Sequence, residues 1–320
     1  MSQGTADRQL SDYRTPEALW AAVDTRIEQL VVADPRLTKG NLQRQFVYER
    51  LLARVFRDTD EWVLKGGTAL LARVRSARHS KDVDLFRLQG TVGDAVAKFK
   101  KIAASDLRDH FRFVAHSHTV RDERAGQRAT RLATVSVDGY AGATLKARFG
   151  VDIVIGSIIT REPETLVPEP VVHIGGMPAP RYLLYPIVDH VADKVCATFE
   201  RFGSKRAPSS RVRDLVDLVV IARTQTMHAH ALRQAIEAER LHRQLAPITH
   251  YAPPTNWRSM YATAARGVVE CVDHSTYAAA TGLMERFLNP VLANDPMIAS
   301  WRPEMLQWSA VEVAGYQGRG

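Results

Sequence analysis

One short block limits the folds open to this chain more than any other: Lys65-Gly66-Gly67-Thr68, thirteen residues, then Asp82-Val83-Asp84. Val63 and Leu64 precede the glycines, so the block starts where an apolar strand ends. Two glycines let a backbone approach a ligand with no side chain between them. Thr68 adds a hydroxyl, and the ALLARV after it reads as a helix start, whose free N–H groups suit phosphate. Asp82 and Asp84 flank Val83 and precede Leu85-Phe86. At strand period both carboxylates face one side while Val83 turns into the core. Two hard oxygen ligands beside a phosphate cradle describe a site for Mg2+ and a nucleotide. An isolated Asp-x-Asp reads more simply as a solvated strand edge; the Gly-Gly-Thr upstream favours the site.

Further acids and cations stand at suggestive spacings. Asp152 lies in VDIVI, apolar on both sides, where an acid is costly to bury without a partner. A metal, Arg148 and Lys146 are its candidate partners. Lys194 sits in HVADKVCATFERF, a helix with Val191, Val195 and Phe199 inward. Arg211-Val212-Arg213-Asp214-Leu215-Val216-Asp217-Leu218 follows, with Asp214 and Asp217 at i, i+3 on one helical face.

In order and wording, LKGGTALLARVRSARHSKDVDLF, Ala192-Asp193-Lys194 and Arg213-Asp214-Leu215-Val216-Asp217-Leu218 resemble the AbiEii/MenT group of bacterial toxin nucleotidyltransferases, in the superfamily with a DNA polymerase β-like palm. The resemblance covers about residues 40–225. It implies that Asp82 and Asp84 bind metal, with Asp152 as third carboxylate from an adjacent strand. It implies that Lys194 contacts the triphosphate, as suits a compact point charge. Asp214 is then essential, either orienting Lys194 or accepting the proton of the attacking hydroxyl. Asp217 would hold Arg213 or Arg211. Lys65, Gly66, Gly67, Thr68, Ser80, Lys194 and Arg213 make up the expected nucleotide-binding set. A phosphate on Ser80 would bring about −1.5 to −2 charges beside the acids and repel a triphosphate.

The rest of the chain reads as an α+β protein. Thr15-Pro16 starts a helix carrying Leu19, Val23 and Ile27, and a second begins near Asn41. Strands are expected at 61–65 and 82–88, with helices at 67–76 and 94–107. Four strands follow, at 111–116, 130–137, 143–149 and 151–158, the last two separated by Gly150. Residues 162–180, rich in Pro and Gly, read as a loop with one extended segment, VVHI. From Pro186 onward the pattern is helical, including 229–243, 255–272, 275–287 and 303–313. The expected plan is a helical support over 1–60, a polymerase β-like nucleotidyltransferase palm over 61–180, and an α-helical C-terminal domain over 181–320.

Composition narrows the partners. The 320 residues carry 43 Lys and Arg against 35 Asp and Glu, a net charge of +8. That surplus favours a polyanion, RNA first, although free use of Arg would give the same total. Arg73, Arg75, Arg78, Lys98, Lys100, Lys101, Arg121, Arg124, Arg128 and Arg131 are candidate phosphate contacts. Two cysteines, Cys196 and Cys271, imply neither a disulfide framework nor a zinc site. The polar N-terminus lacks an apolar signal core, and no stretch approaches a membrane span, so a cytoplasmic protein with no membrane partner is expected.

The implied reaction is transfer of NMP from an NTP to an acceptor hydroxyl, with Mg2+ as cofactor. The implied acceptor is the 3′ end of tRNA, which would block aminoacylation and translation. A cognate antitoxin would be the protein partner, and DNA is not expected. The same fold also serves a protein NMP-transferase or a kinase. A non-catalytic RNA- or GTP-binding regulator is the alternative of another class.

Overall fold

Caps start the first helices where the sequence places them. In this computed structural model, which describes residues 9–57, 61–87, 89–122, 131–202, 206–293 and 299–310, the Thr15 hydroxyl accepts from the Ala18 amide at 3.2 Å and Pro16 opens α1 (Pro16–Ala33). Thr38 caps α2 (Lys39–Val55) in the same way. Arg124, Arg128 and the end of segment 303–313 lie outside the described residues.

The chain divides into two compact units, Met1–Ser157 with Pro163–Tyr185, and Ile158–Glu162 with Pro186–Gly320. The first contains α1 and α2, then β1 (Trp62–Lys65), α3 (Gly66–Arg73), β2 (Asp82–Arg87) and α4 (Val92–Ala103). Long strands β3 (Phe111–Asp122), β4 (Arg131–Ala141) and β5 (Thr144–Ile155) follow, then short β6 (Glu164–Leu166) and β7 (Tyr182–Leu184). All seven form one mixed sheet, in the order β3-β4-β5-β2-β1-β7-β6. β2 runs parallel to β5 and antiparallel to β1. Helices α1, α2 and α4 pack against the long strands. Alternate residues Val83, Leu85, Ala133, Val135, Val137, Val151 and Ile153 enter the core beside Phe46, Leu51 and Phe99. The other residues of these strands form the second face, where Asp84, Thr134, Ser136 and Asp152 are half-buried.

Several expectations change here. Gly150 does not end a strand: β5 runs through it, because ladders on both sides, to Ser136 and to Asp82, hold its backbone. VVHI is not a strand; the Val171 amide donates instead to Glu49 Oε1 at 3.0 Å. The strand that lies beside β1 is instead β7, which follows VVHI and is too short to show a period.

The second unit is mainly helical. It holds α5 (Ile187–Phe199), a small hairpin of β8 (Arg201–Phe202) and β9 (Ala207–Pro208), then α6 (Val212–Thr224). After β10 (Met227–His228) come α7 (Ala229–His242), α8 (Arg258–Ala265) and α9 (Tyr277–Leu292). The expected helix 255–272 is α8 flanked by 3₁₀ turns, and the expected helix 303–313 is replaced by a hairpin of β11 (Ala299–Arg302) and β12 (Gln307–Ala310). Packing decides this: the Trp301 indole donates to the Ala222 carbonyl at 2.6 Å, and the Trp308 ring stacks on Phe287 with centroids 6.0 Å apart. Among the described residues no helix is long and apolar enough to cross a membrane.

Candidate active site

The Asp-x-Asp pair stands on β2 as the strand period requires. Val83 is fully buried, Asp82 is exposed and Asp84 half-buried. Asp84 is the register partner of Asp152 on parallel β5. Register partners on neighbouring strands share a face at about 5 Å spacing, so these two acids stand side by side. Asp82 is one step along the same face. Sequence reasoning placed Asp152 here from the resemblance; the register shows the placement directly.

Hydroxyls fix the acids. Ser80 Oγ donates to Asp82 Oδ1 at 2.7 Å, and Thr68 Oγ1 donates to the Asp82 carbonyl at 2.8 Å. The Tyr48 hydroxyl donates to the carbonyl of Lys81 at 2.8 Å, tying α2 to the residue before the pair. Thr134 Oγ1 donates to Asp152 Oδ1 at 2.7 Å. Sequence reasoning missed Tyr48 and Thr134, since only the α2 docking and the β4–β5 register bring them here.

The glycines have a tighter reason than open access to a ligand. Gly66 has φ +65°, and a Cβ on it would lie 1.8 Å from Asp84 Oδ2. A Cβ on Gly67 would lie 3.1 Å from Ser80 Oγ. The first turn of α3 is thus pressed onto the acid-bearing segment, with its positive end beside Asp84. Lys65, the antiparallel register partner of Asp84, donates from Nζ to Ser157 Oγ at 3.2 Å and lies 4.2 Å from the Tyr185 ring centroid.

Among the described residues no group of three or more His, Cys, Asp or Glu converges as a metal cage. The donor set still suits a hard cation. It consists of carboxylate oxygens on one face, and Mg2+ is usually held by one or two carboxylates together with substrate phosphates.

The second block is an ion cluster inside the helical unit. Lys194 Nζ donates to Asp217 Oδ2 at 2.6 Å and to Asp214 Oδ1 at 3.2 Å. The three side chains are 4%, 0% and 5% exposed. Arg211 Nε donates to the other oxygen of Asp214 at 2.6 Å. Asp217 therefore reaches Lys194, and the arginine held is Arg211, by Asp214. Burial works against ionisation of Asp214, but Lys194 and then Arg211 outweigh it and hold its carboxyl below the usual range. Arg213 is exposed.

The family model for the nucleotidyl transferase AbiEii toxin of type IV toxin–antitoxin systems matches residues 50–295. No curated protein matches. Among solved structures, JHP933 from Helicobacter pylori matches at 16% identity and a TM-score of 0.45, covering 80% of this chain and 94% of that one. A second H. pylori protein, provisionally a nucleotidyltransferase, matches at 17% identity and a TM-score of 0.46, covering 80% and 97%.

Proposed function

The chain belongs to the AbiEii family of nucleotidyltransferase toxins, and from that premise we propose that it transfers a nucleoside monophosphate from an NTP to the 3′ hydroxyl of tRNA. The capped tRNA can no longer be aminoacylated, and translation stops. The observation that carries this reading is the seat of Asp84. Its carboxylate lies against the first residue of α3, where only glycine fits, and beside Asp152 in the sheet register. A phosphate-binding helix start and two acids on one face are what a nucleoside triphosphate and its counter-ion require.

In the reaction the acceptor oxygen bonds to the α-phosphorus, the bond to the bridging oxygen breaks, and pyrophosphate leaves. Two of the acids Asp82, Asp84 and Asp152, together with the phosphates, would hold Mg2+, which when bound offsets the negative charge growing on the phosphate oxygens. Ser80 and Thr68 keep Asp82 in place, and Thr134 does so for Asp152. The amides of Gly66, Gly67 and Thr68 and the ammonium of Lys65 serve the phosphates. In this reading Lys194 meets the triphosphate, Arg213 assists nucleotide binding, and Asp214 orients Lys194 or takes the hydroxyl proton. A cognate antitoxin is the protein partner this reading implies, and the cytoplasm supplies both substrates.

Incubation of the purified chain with bulk tRNA, Mg2+ and each α-³²P NTP in turn, beside an Asp82→Ala control, tests the proposal. Label on tRNA that disappears in the control supports it and identifies the base. Label on protein moves the acceptor to a polypeptide hydroxyl; no label with any NTP refutes the transfer.

A further inference from the structure

The acid-bearing face of the sheet extends beyond the acids. On β4 and β5, Asp138 pairs in register with Arg148, four residues from the Thr134–Asp152 pair and on the same face. Asp138 is 2% exposed, yet the side chains it holds point outward: Arg148 is 67% exposed and His116 43%. Arg148 donates to both Asp138 oxygens, at 2.7 and 2.9 Å, and His116 Nε2 lies 3.1 Å from Oδ2. An irregularity between Ala115 and His118 in β3 accompanies the turn of His116 toward this group. Exposed Arg112, on the same face, lies with its guanidinium 4.3 Å from the Tyr140 ring centroid.

One buried carboxylate thus pre-sets an outward guanidinium and an imidazole, with a second arginine beside them. A pre-set guanidinium loses little freedom when it binds an anion, so the arrangement favours phosphate over a loosely charged surface. The floor between this cluster and the acids is low. The one residue between Arg148 and Asp152 on that face of β5 is Gly150, and its partner on β4 is Ser136. Four residues of strand span about 13 Å. An extended chain laid along this face with a phosphate at Arg148 would bring its end to Asp152.

Resting on the transfer reading above, we propose that Arg148, His116 and Arg112 form the phosphate-binding track that guides the single-stranded 3′ end of the acceptor RNA to the acids. The contacts are to phosphate, so they set position and carry no base preference.

Filter binding of 5′-³²P-labelled bulk tRNA to the full chain, over a salt series, tests this on wild type, Arg148→Gln and Arg148→Lys. The double variant Asp138→Asn/Arg148→Gln is included because it leaves no buried charge unpaired. Each phosphate that the protein no longer neutralises lowers the slope of log K against log salt by about 0.7. Arg148→Gln and the double variant are expected to lose about that much slope and several-fold in affinity, while Arg148→Lys, which keeps the charge but not the fork on Asp138, keeps the wild-type slope at a lower affinity. NTP binding by equilibrium dialysis and the thermal midpoint of the double variant are expected to stay unchanged. Equal tRNA binding and slope in all four proteins overturns the track, as does a parallel loss of NTP binding. Failure of the wild type itself to bind tRNA refutes the RNA-acceptor reading, and the track with it.

Discussion

Replacing Lys194 separates its structural role from its chemical one. Its ammonium lies 2.6 Å from Asp217, which is 0% exposed, and 3.2 Å from Asp214. Lys194→Met leaves Asp217 without this cation, while Asp214 keeps Arg211 at 2.6 Å. Removing one partner of a buried ion pair costs about 3–5 kcal/mol, whereas replacing both by apolar groups is often neutral. The single variant is therefore expected to lose about 3–5 kcal/mol, and Lys194→Met/Asp217→Leu to regain most of it. Urea unfolding followed through buried Trp257 and Trp301 of the same unit measures both. A loss below about 1 kcal/mol in the single variant would mean that water reaches the cluster, as it does for exposed pairs, and would refute the reasoning. The stable double variant then decides the chemistry. It is expected to stay inactive in the tRNA-labelling assay, and wild-type labelling from it would remove Lys194 from the triphosphate.

Other predictions follow from the same geometry. Gly66→Ala places a methyl 1.8 Å from Asp84 Oδ2 at a positive φ; it is expected to cost about 1–2 kcal/mol in backbone strain alone and to abolish labelling, and unchanged activity would contradict the close packing. Thr134→Val removes the hydroxyl that holds Asp152, a charge-assisted bond of about 1.5–3 kcal/mol; transfer is expected to fall roughly tenfold or more and to recover in Thr134→Ser. Burial, against the pull of Arg50, raises Glu49 from 4.5 to about 7. The folded chain then holds a proton that the unfolded chain releases, so wild-type stability should fall as pH rises between these values, and Glu49→Gln should remove that slope in urea titrations. Asp214 has the opposite sign: its folded pKa lies below 3.8, so its contribution is complete above that pH and disappears as pH falls through the lower value, a loss that Asp214→Asn should not show.

What the sequence alone determines is whatever local period and capping control. The spacing of Gly66-Gly67-Thr68 and Asp82-Val83-Asp84 specifies strand, helix start and strand, with Val83 inward, because side-chain direction alternates whatever the strand pairs with. Thr15-Pro16 likewise marks the first helix by its own cap. The helical run from Ile187 and the Asp214, Asp217 spacing follow from the 3.6-residue period. Tertiary structure decides the rest. Gly150 reads as a break, yet pairing on both sides carries β5 through it. The segment after Pro303 has a helical pattern, yet Trp301 and Trp308, docked against α6 and α9, fold its start into a hairpin. The partners of Lys194, the hydroxyl of Thr134 on Asp152 and the Asp138 clamp on Arg148 depend on register and docking between segments distant in sequence. A strand's own residues do not encode which neighbour will lie opposite them; that is settled only when the whole sheet closes on its core.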